Sequence, residues 1–198
     1  MEIEQLKQQM AFIQEIDKVK YIQRKTSLFH SNRRENDAEH SWHLAMMTLV
    51  LAEHANTPLD VLKVLSMVLI HDIVEIDAGD TFLYDSTKNH DNTQEERAAA
   101  QRIFGLLPPQ QAERFIAIWE EFEAGKTEEA KFARAMDRLE PILQNVSNAG
   151  GTWRQFDVPY HKVVEKKIKI KEGSEQLWDY AKELLDASVA AGNLKKEE

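Results

Sequence analysis

Two histidines and two aspartates, His40, His71, Asp72 and Asp137, are the residues of this chain whose types suit a shared divalent ion. Imidazole nitrogen and carboxylate oxygen together fit Mn, Co, Fe, Zn or Mg and leave coordination positions open for water and a substrate. The chain has no cysteine, so any metal must be bound through His and carboxylates. Taken singly, His40, His71 or Asp137 reads more readily as structural, and spacing alone does not bring four residues together. Asp137 carries a separate hint. In KFARAMDRLEPIL it borders the apolar stripe Phe132, Ala135, Met136, Leu139 and Leu143, where a carboxylate needs a cation or several donors to offset desolvation. A metal would meet that need, and so would Arg134 or Arg138.

The elements that must position these residues read as helices. A length of 198 residues with 42% hydrophobic content supports one sizeable core, and seven Gly, five Pro and 30% charged residues suit long amphipathic helices. The expected class is all-α, a single domain. Apolar residues recur every three or four positions from Ile3 to Ile22. That period is lost from Arg24 to Ala38, which reads as a polar loop. Asp37 or a neighbour can cap a second helix to about His54. Pro58 opens a third, whose apolar run VLKVLSMVLI leads straight into His71 and Asp72, so that pair belongs at the inner end of a core helix. An irregular segment follows from Asp77 to Asp91. Helical periods resume over 93–107, 109–123, 128–148 and about 160–191, with a break at Gly150–Gly151 and a frayed tail from Gly192.

The net charge of −9 and pI near 5.3 exclude a broad basic face of the kind that tracks a nucleic-acid polymer. A small anionic substrate remains compatible if local cations or a metal offset the field. The basic run KVVEKKIKIK at 162–171 reads as an amphipathic, solvent-facing helix. The polar N-terminus lacks the features of a secretory signal, and no apolar run approaches the ~20 residues of a membrane span, so a cytoplasmic protein is expected.

Taken with their flanking blocks, these residues resemble a known family. His40 in ENDAEHSWHLA, the His71–Asp72 pair in LIHDIVEIDAGD and Asp137 in KFARAMDRLEPIL resemble the H…HD…D signature of HD-domain phosphohydrolases. The branch is the compact one that holds bacterial 5'-deoxynucleotidases and eukaryotic HD-domain relatives. The resemblance runs from about residue 13 to 143, leaving the helical stretch at about 160–191 as an extension. It implies a helical bundle and a divalent metal on His40, His71, Asp72 and Asp137. Glu75, four residues after His71, is then placed to position water or exchange a proton. Asp80 matches the family carboxylate that approaches substrate, with Thr81 beside it as a binding residue. His43 falls to a supporting or packing role.

One departure bears on specificity. The bacterial nucleotidases carry an Arg–Trp pair shortly before the first metal histidine, and an ungapped count from His40 puts Lys25 and Thr26 there. Lys25 can neutralise phosphate as a point charge, but Thr26 supplies no aromatic wall against the sugar. Arg33 and Arg34 are the other candidates to grip phosphate, against the alternative of a solvated basic turn. The leading function is a phosphomonoesterase acting on a nucleoside 5'-monophosphate or similar small ester. Another HD-type phosphodiesterase or pyrophosphohydrolase, or a catalytically weak metal-binding module, is the alternative. A homodimer is expected from the resemblance and from apolar residues near the C-terminus, Leu177, Trp178, Ala181, Leu184 and Leu185, with closure of the chain's own core as the alternative use of those residues.

Overall fold

The computed structural model describes residues 2–85 and 94–196. Helices α1 (Glu2–Ile16), α2 (Asp37–Leu51), α3 (Val61–Ile70), α4 (Glu75–Ala78), α5 (Gln94–Phe104), α6 (Pro109–Ala124) and α7 (Glu128–Ser147) are followed by α8 (Gly151–Gln155), α9 (Tyr160–Lys167), α10 (Ile170–Gly173) and α11 (Glu175–Ala190). The all-α expectation is met. The part of the irregular segment from 86 to 91, with His90 and Thr93, lies outside the described residues.

The stretch read as a polar loop instead holds an antiparallel hairpin, β1 (Gln23–Ser27) and β2 (Arg34–Asn36), with an irregularity in register between Gln23 and Ser27. Its return strand runs directly into α2. Asn36, not Asp37, caps that helix: its side chain accepts from the Glu39 N–H while the Glu39 carboxylate accepts from the Asn36 N–H. Asp37, freed from capping, is fully buried.

Helix α7 is the centre of the larger core. Phe132, Ala133, Met136, Leu139 and Ile142 pack with Leu44 and Met47 of α2, Val64, Met67 and Val68 of α3, and residues of the C-terminal helices. Thr127 caps its N-terminus through the Ala130 N–H. Pro141 lies inside it, one turn beyond Asp137, and has no N–H to give to the Asp137 carbonyl. A second core joins Phe12, Ile70, Ile73 and Val74 to Ala99, Ile103, Phe104 and Trp119. His71 to Val74, between the two cores, form a 3-10 turn that continues α3.

The single helix expected over 160–191 is three. Gly173 ends α10 because a side chain there would meet the Lys131 carbonyl at 2.7 Å, so the chain can cross α7 closely only with glycine. Ser174 then caps α11. This geometry corrects the proposed dimer surface: Leu177, Trp178, Ala181 and Leu185 are buried in the core of the subunit itself. The exposed apolar residues lie elsewhere, with Ile3, Leu6, Met10 and Ile13 on α1 and Trp42, Met46, Leu49 and Val50 on α2. Among the described residues no helix is long and apolar enough to cross a membrane.

Candidate metal centre and substrate cavity

Three segments bring the predicted ligands together. His40 is in the first turn of α2, His71 and Asp72 open the 3-10 turn after α3, and Asp137 is midway along α7. His40 Nε2 lies 3.2 Å from Asp137 Oδ1 and 3.8 Å from Asp72 Oδ2. His71 Nε2 lies 3.0 Å from Asp72 Oδ1 and 4.0 Å from Asp137 Oδ1. His40, His71 and Asp72 each present a donor atom within 4.8 Å of the others.

The tautomers suit a cation. His71 Nδ1 is 3.0 Å from the Val68 carbonyl, which can only accept, so the proton is on Nδ1 and the Nε2 lone pair is free. That Nε2 is buried without a hydrogen-bond partner. His40 Nδ1 faces two carboxylates, Glu35 Oε2 at 3.4 Å and Glu140 Oε2 at 3.5 Å, while its Nε2 is turned to Asp137 Oδ1. Glu140 is held on its other oxygen by His43 Nδ1 at 3.2 Å. His43 thus stands behind His40 through Glu140. An orphaned imidazole nitrogen beside two carboxylates and a second imidazole is a donor set that could bind a metal.

The carboxylates also favour the charged form of the imidazoles. Burial and the Arg24 charge oppose protonation of His40, yet hydrogen bonds with Asp137, Glu140 and Glu35 hold it well above its ordinary pKa. Burial raises Asp72, but the charge and hydrogen bond of His71, with Arg24, win and take it to about 2. Asp137 is also held well below the carboxylate range despite burial, chiefly by His40 and His71.

Arg24 is the largest omission from the sequence reading. From β1 its Nη1 donates to Asp72 Oδ2 at 2.9 Å and lies 3.5 Å from Asp37 Oδ1, while Nε is 3.7 Å from Glu35 Oε2. It is one residue before Lys25, and the hairpin's irregular register is what an ungapped count could not see. Asp37 was read only as a cap. It lies with Asp72 and Glu75 in a group whose oxygens approach within 4.8 Å. Burial and the Asp72 charge push Asp37 up to about 7, and burial, with Asp72 and Asp37, pushes Glu75 well above its ordinary value. Carboxyls this close disfavour one another's ionisation.

A cavity of about 240 Å³ opens on this cluster. His71, Asp72, Glu75, Asp80 and Asp137 line it, with Arg24, Lys25, Thr26 and Thr81. Asp80 follows Gly79, whose φ of 77° favours glycine, and burial raises its carboxyl. Phe82, Tyr84 and Phe122 supply aromatic wall, and Lys167 reaches the cavity from α9. Two predicted grips fall outside. Arg33 pairs with Glu39 through both terminal nitrogens, at 2.8 and 3.0 Å, on the exposed side of the capping box. Arg34 lines a neighbouring polar groove with Lys25 and Thr152.

This helical frame and metal-suited cluster match the HD-domain family model over residues 16–178, and the chain belongs to that family. It is 27% identical over 137 residues to the 5'-deoxynucleotidase HDDC2 of Bos taurus, covering 68% of this chain and 65% of that one. The human HDDC2 is 26% identical over 136 residues, with 68% and 65% covered. Those matches span just under two thirds of each relative. A solved structure of a predicted metal-dependent phosphohydrolase from Magnetospirillum magnetotacticum MS-1 is 50% identical, with a TM-score of 0.92 over 96% of both chains.

Proposed function

We propose that the protein is a metal-dependent phosphomonoesterase acting on nucleoside 5'-monophosphates or closely similar phosphate esters. The observation that carries this is the pair of imidazole Nε2 atoms of His40 and His71, the latter's tautomer set by the Val68 carbonyl, facing Asp72 and Asp137 beside a cation-lined cavity. The similarity to 5'-deoxynucleotidases supports the substrate class.

His40, His71, Asp72 and Asp137 would hold the ion, with Mn, Co, Mg, Fe and Zn all compatible with the donors. When bound, such an ion would polarise a phosphoryl oxygen and lower the pKa of water. Arg24 fixes the Asp72 carboxylate and offsets the crowd of negative charge around it. The Asp37–Glu75 pair, both carboxyls raised by burial and by Asp72, can take a proton from an attacking water. We assign Asp80, whose carboxyl is raised by burial, to the ester oxygen that leaves or to substrate contact. Thr26, buried with no partner for its hydroxyl, and exposed Lys25 and Thr81 complete the binding wall.

Phosphate release from a panel of nucleotides, with and without added metal, tests the reading. The homodimer remains part of the proposal, placed on the exposed apolar residues of α1 and α2 rather than on α11.

A further inference from the structure

Lys167 ends α9, in the basic run that the sequence assigns to solvent, yet it is only 3% exposed. Its neighbours along the run, Lys166 and Lys169, are exposed. It lines the same cavity as Asp72, Asp137 and Arg24, and it forms no ion pair or hydrogen bond among the described residues. The charges that act on it come from Asp137, Arg138, Arg24 and Glu140, and burial lowers its pKa to about 8. A lysine taken out of water without a counter-ion is unfavourable unless something else supplies the negative charge. The ordinary places for such charge are already used. Asp72 is engaged by Arg24 and His71, and Asp137 by His40.

We propose that Lys167 is a substrate-contact residue whose ammonium group, delivered into the cavity by α9, neutralises and orients the phosphate group of the bound ester. The proposal rests on the phosphomonoesterase reading and extends it to the C-terminal helices, outside the 13–143 stretch that carries the recognisable motif. The compact ammonium, unlike a guanidinium fork, suits a phosphate whose oxygens exchange partners as the bond to the ester oxygen breaks. Pro141 and Thr152 line the same cavity.

The test uses the full chain loaded with Mn and inorganic phosphate as the probe. Phosphate should raise the Tm of the parent protein and inhibit its hydrolysis of a nucleoside monophosphate. Lys167→Met should bind the metal with unchanged stoichiometry, lose most of that phosphate-induced shift and lose about a hundredfold or more in kcat/KM. Lys167→Arg should recover part of both, and Lys166→Met, on the exposed side of the helix, should resemble the parent. Should Lys167→Met not fold, reductive methylation of the parent is read by peptide mass instead: phosphate should shield Lys167 several-fold and leave Lys166 unprotected. A Met variant with the parent's phosphate shift, or a Lys167 that phosphate does not shield, overturns the inference. A parent protein that hydrolyses no monophosphate with any metal overturns the functional reading on which it rests.

Discussion

The Nδ1–H of His71 donates to the carbonyl of Val68 at 3.0 Å, so a backbone atom of α3 decides which nitrogen of this imidazole can face an ion. His40 has no such backbone partner: its Nδ1 faces the carboxylates of Glu35 and Glu140 at 3.4 and 3.5 Å. The α3 contact is immune to side-chain substitution, whereas the α2 contact is not. Glu140→Gln should therefore weaken metal affinity by about 10- to 100-fold, the usual scale for a lost supporting carboxylate. Competition with a fluorescent chelator measures it, and an unchanged dissociation constant would contradict the role.

In the proposed mechanism Asp37 and Glu75 form the proton-handling pair. Asp37→Asn and Glu75→Gln should each lower kcat by about a hundredfold or more while the bound-metal count stays the same. Because the two carboxyls act as one unit, the double variant should lose little more than either single one. Losses that multiply would show two independent roles.

Thr26 stands at the wall of the cavity with a buried, unpartnered hydroxyl. A pocket that tolerates an added hydroxyl separates two ligands by only ~100-fold, and Thr26 can also hydrogen-bond a 2'-hydroxyl. The ratio of kcat/KM for matched deoxyribo- and ribonucleotides should accordingly stay below about a thousandfold. A sharper preference for the deoxy form would mean that Phe82, Tyr84 or another wall residue excludes the ribose.

Lys167 also makes a stability prediction for the metal-free chain. Its folded pKa, about 8, lies below the ordinary 10.5. Below pH 8 the amine is charged in both folded and unfolded states, and the full desolvation cost, on the order of 3 kcal/mol, opposes folding. As pH rises from about 8 to 10.5 the folded state loses its proton first and that cost fades. In chelator, Lys167→Met should thus be more stable than the parent at pH 7, with the gap narrowing through that window. Denaturant unfolding at several pH values reads the gap, and a constant difference would contradict the buried, uncompensated charge.

The exposed face of α2 gives a test of association. Trp42 is 64% exposed, and Met46, Leu49 and Val50 follow it at helical spacing. Light scattering should give twice the 22.9 kDa chain mass, and Trp42→Glu should shift it towards the monomer. A 22.9 kDa species at micromolar concentration would contradict the dimer.

The parts of this molecule legible in the sequence were those whose chemistry is local. His71, Asp72 and Glu75 share one short segment, and the apolar run before them has no polar face to offer solvent, so both motif and burial could be read. Asp137 betrayed itself by bordering an apolar stripe. What escaped depends on tertiary placement. Arg24 looked like one more cation in a polar loop, because nothing local announces an irregular hairpin that swings it onto Asp72. Asp37 sits where a helix cap is ordinary, and only the neighbouring Asn36–Glu39 box shows that the cap lies one residue earlier. Lys167 was lost in a run of lysines, although it falls one turn after buried Val163 on the same face of α9. The C-terminal apolar residues were ambiguous for the opposite reason, since a stripe facing its own core and one facing a partner have the same period.

The central claim, phosphomonoester hydrolysis dependent on a metal at the four-residue cluster, is tested most directly by phosphate release. Protein stripped with a chelator would be offered nucleoside 5'-monophosphates with Mn, Co, Mg or no metal. The account predicts release only with added metal, and loss of that release in His71→Ala and Asp137→Ala. Equal release from the stripped protein, or from variants lacking these ligands, would contradict it.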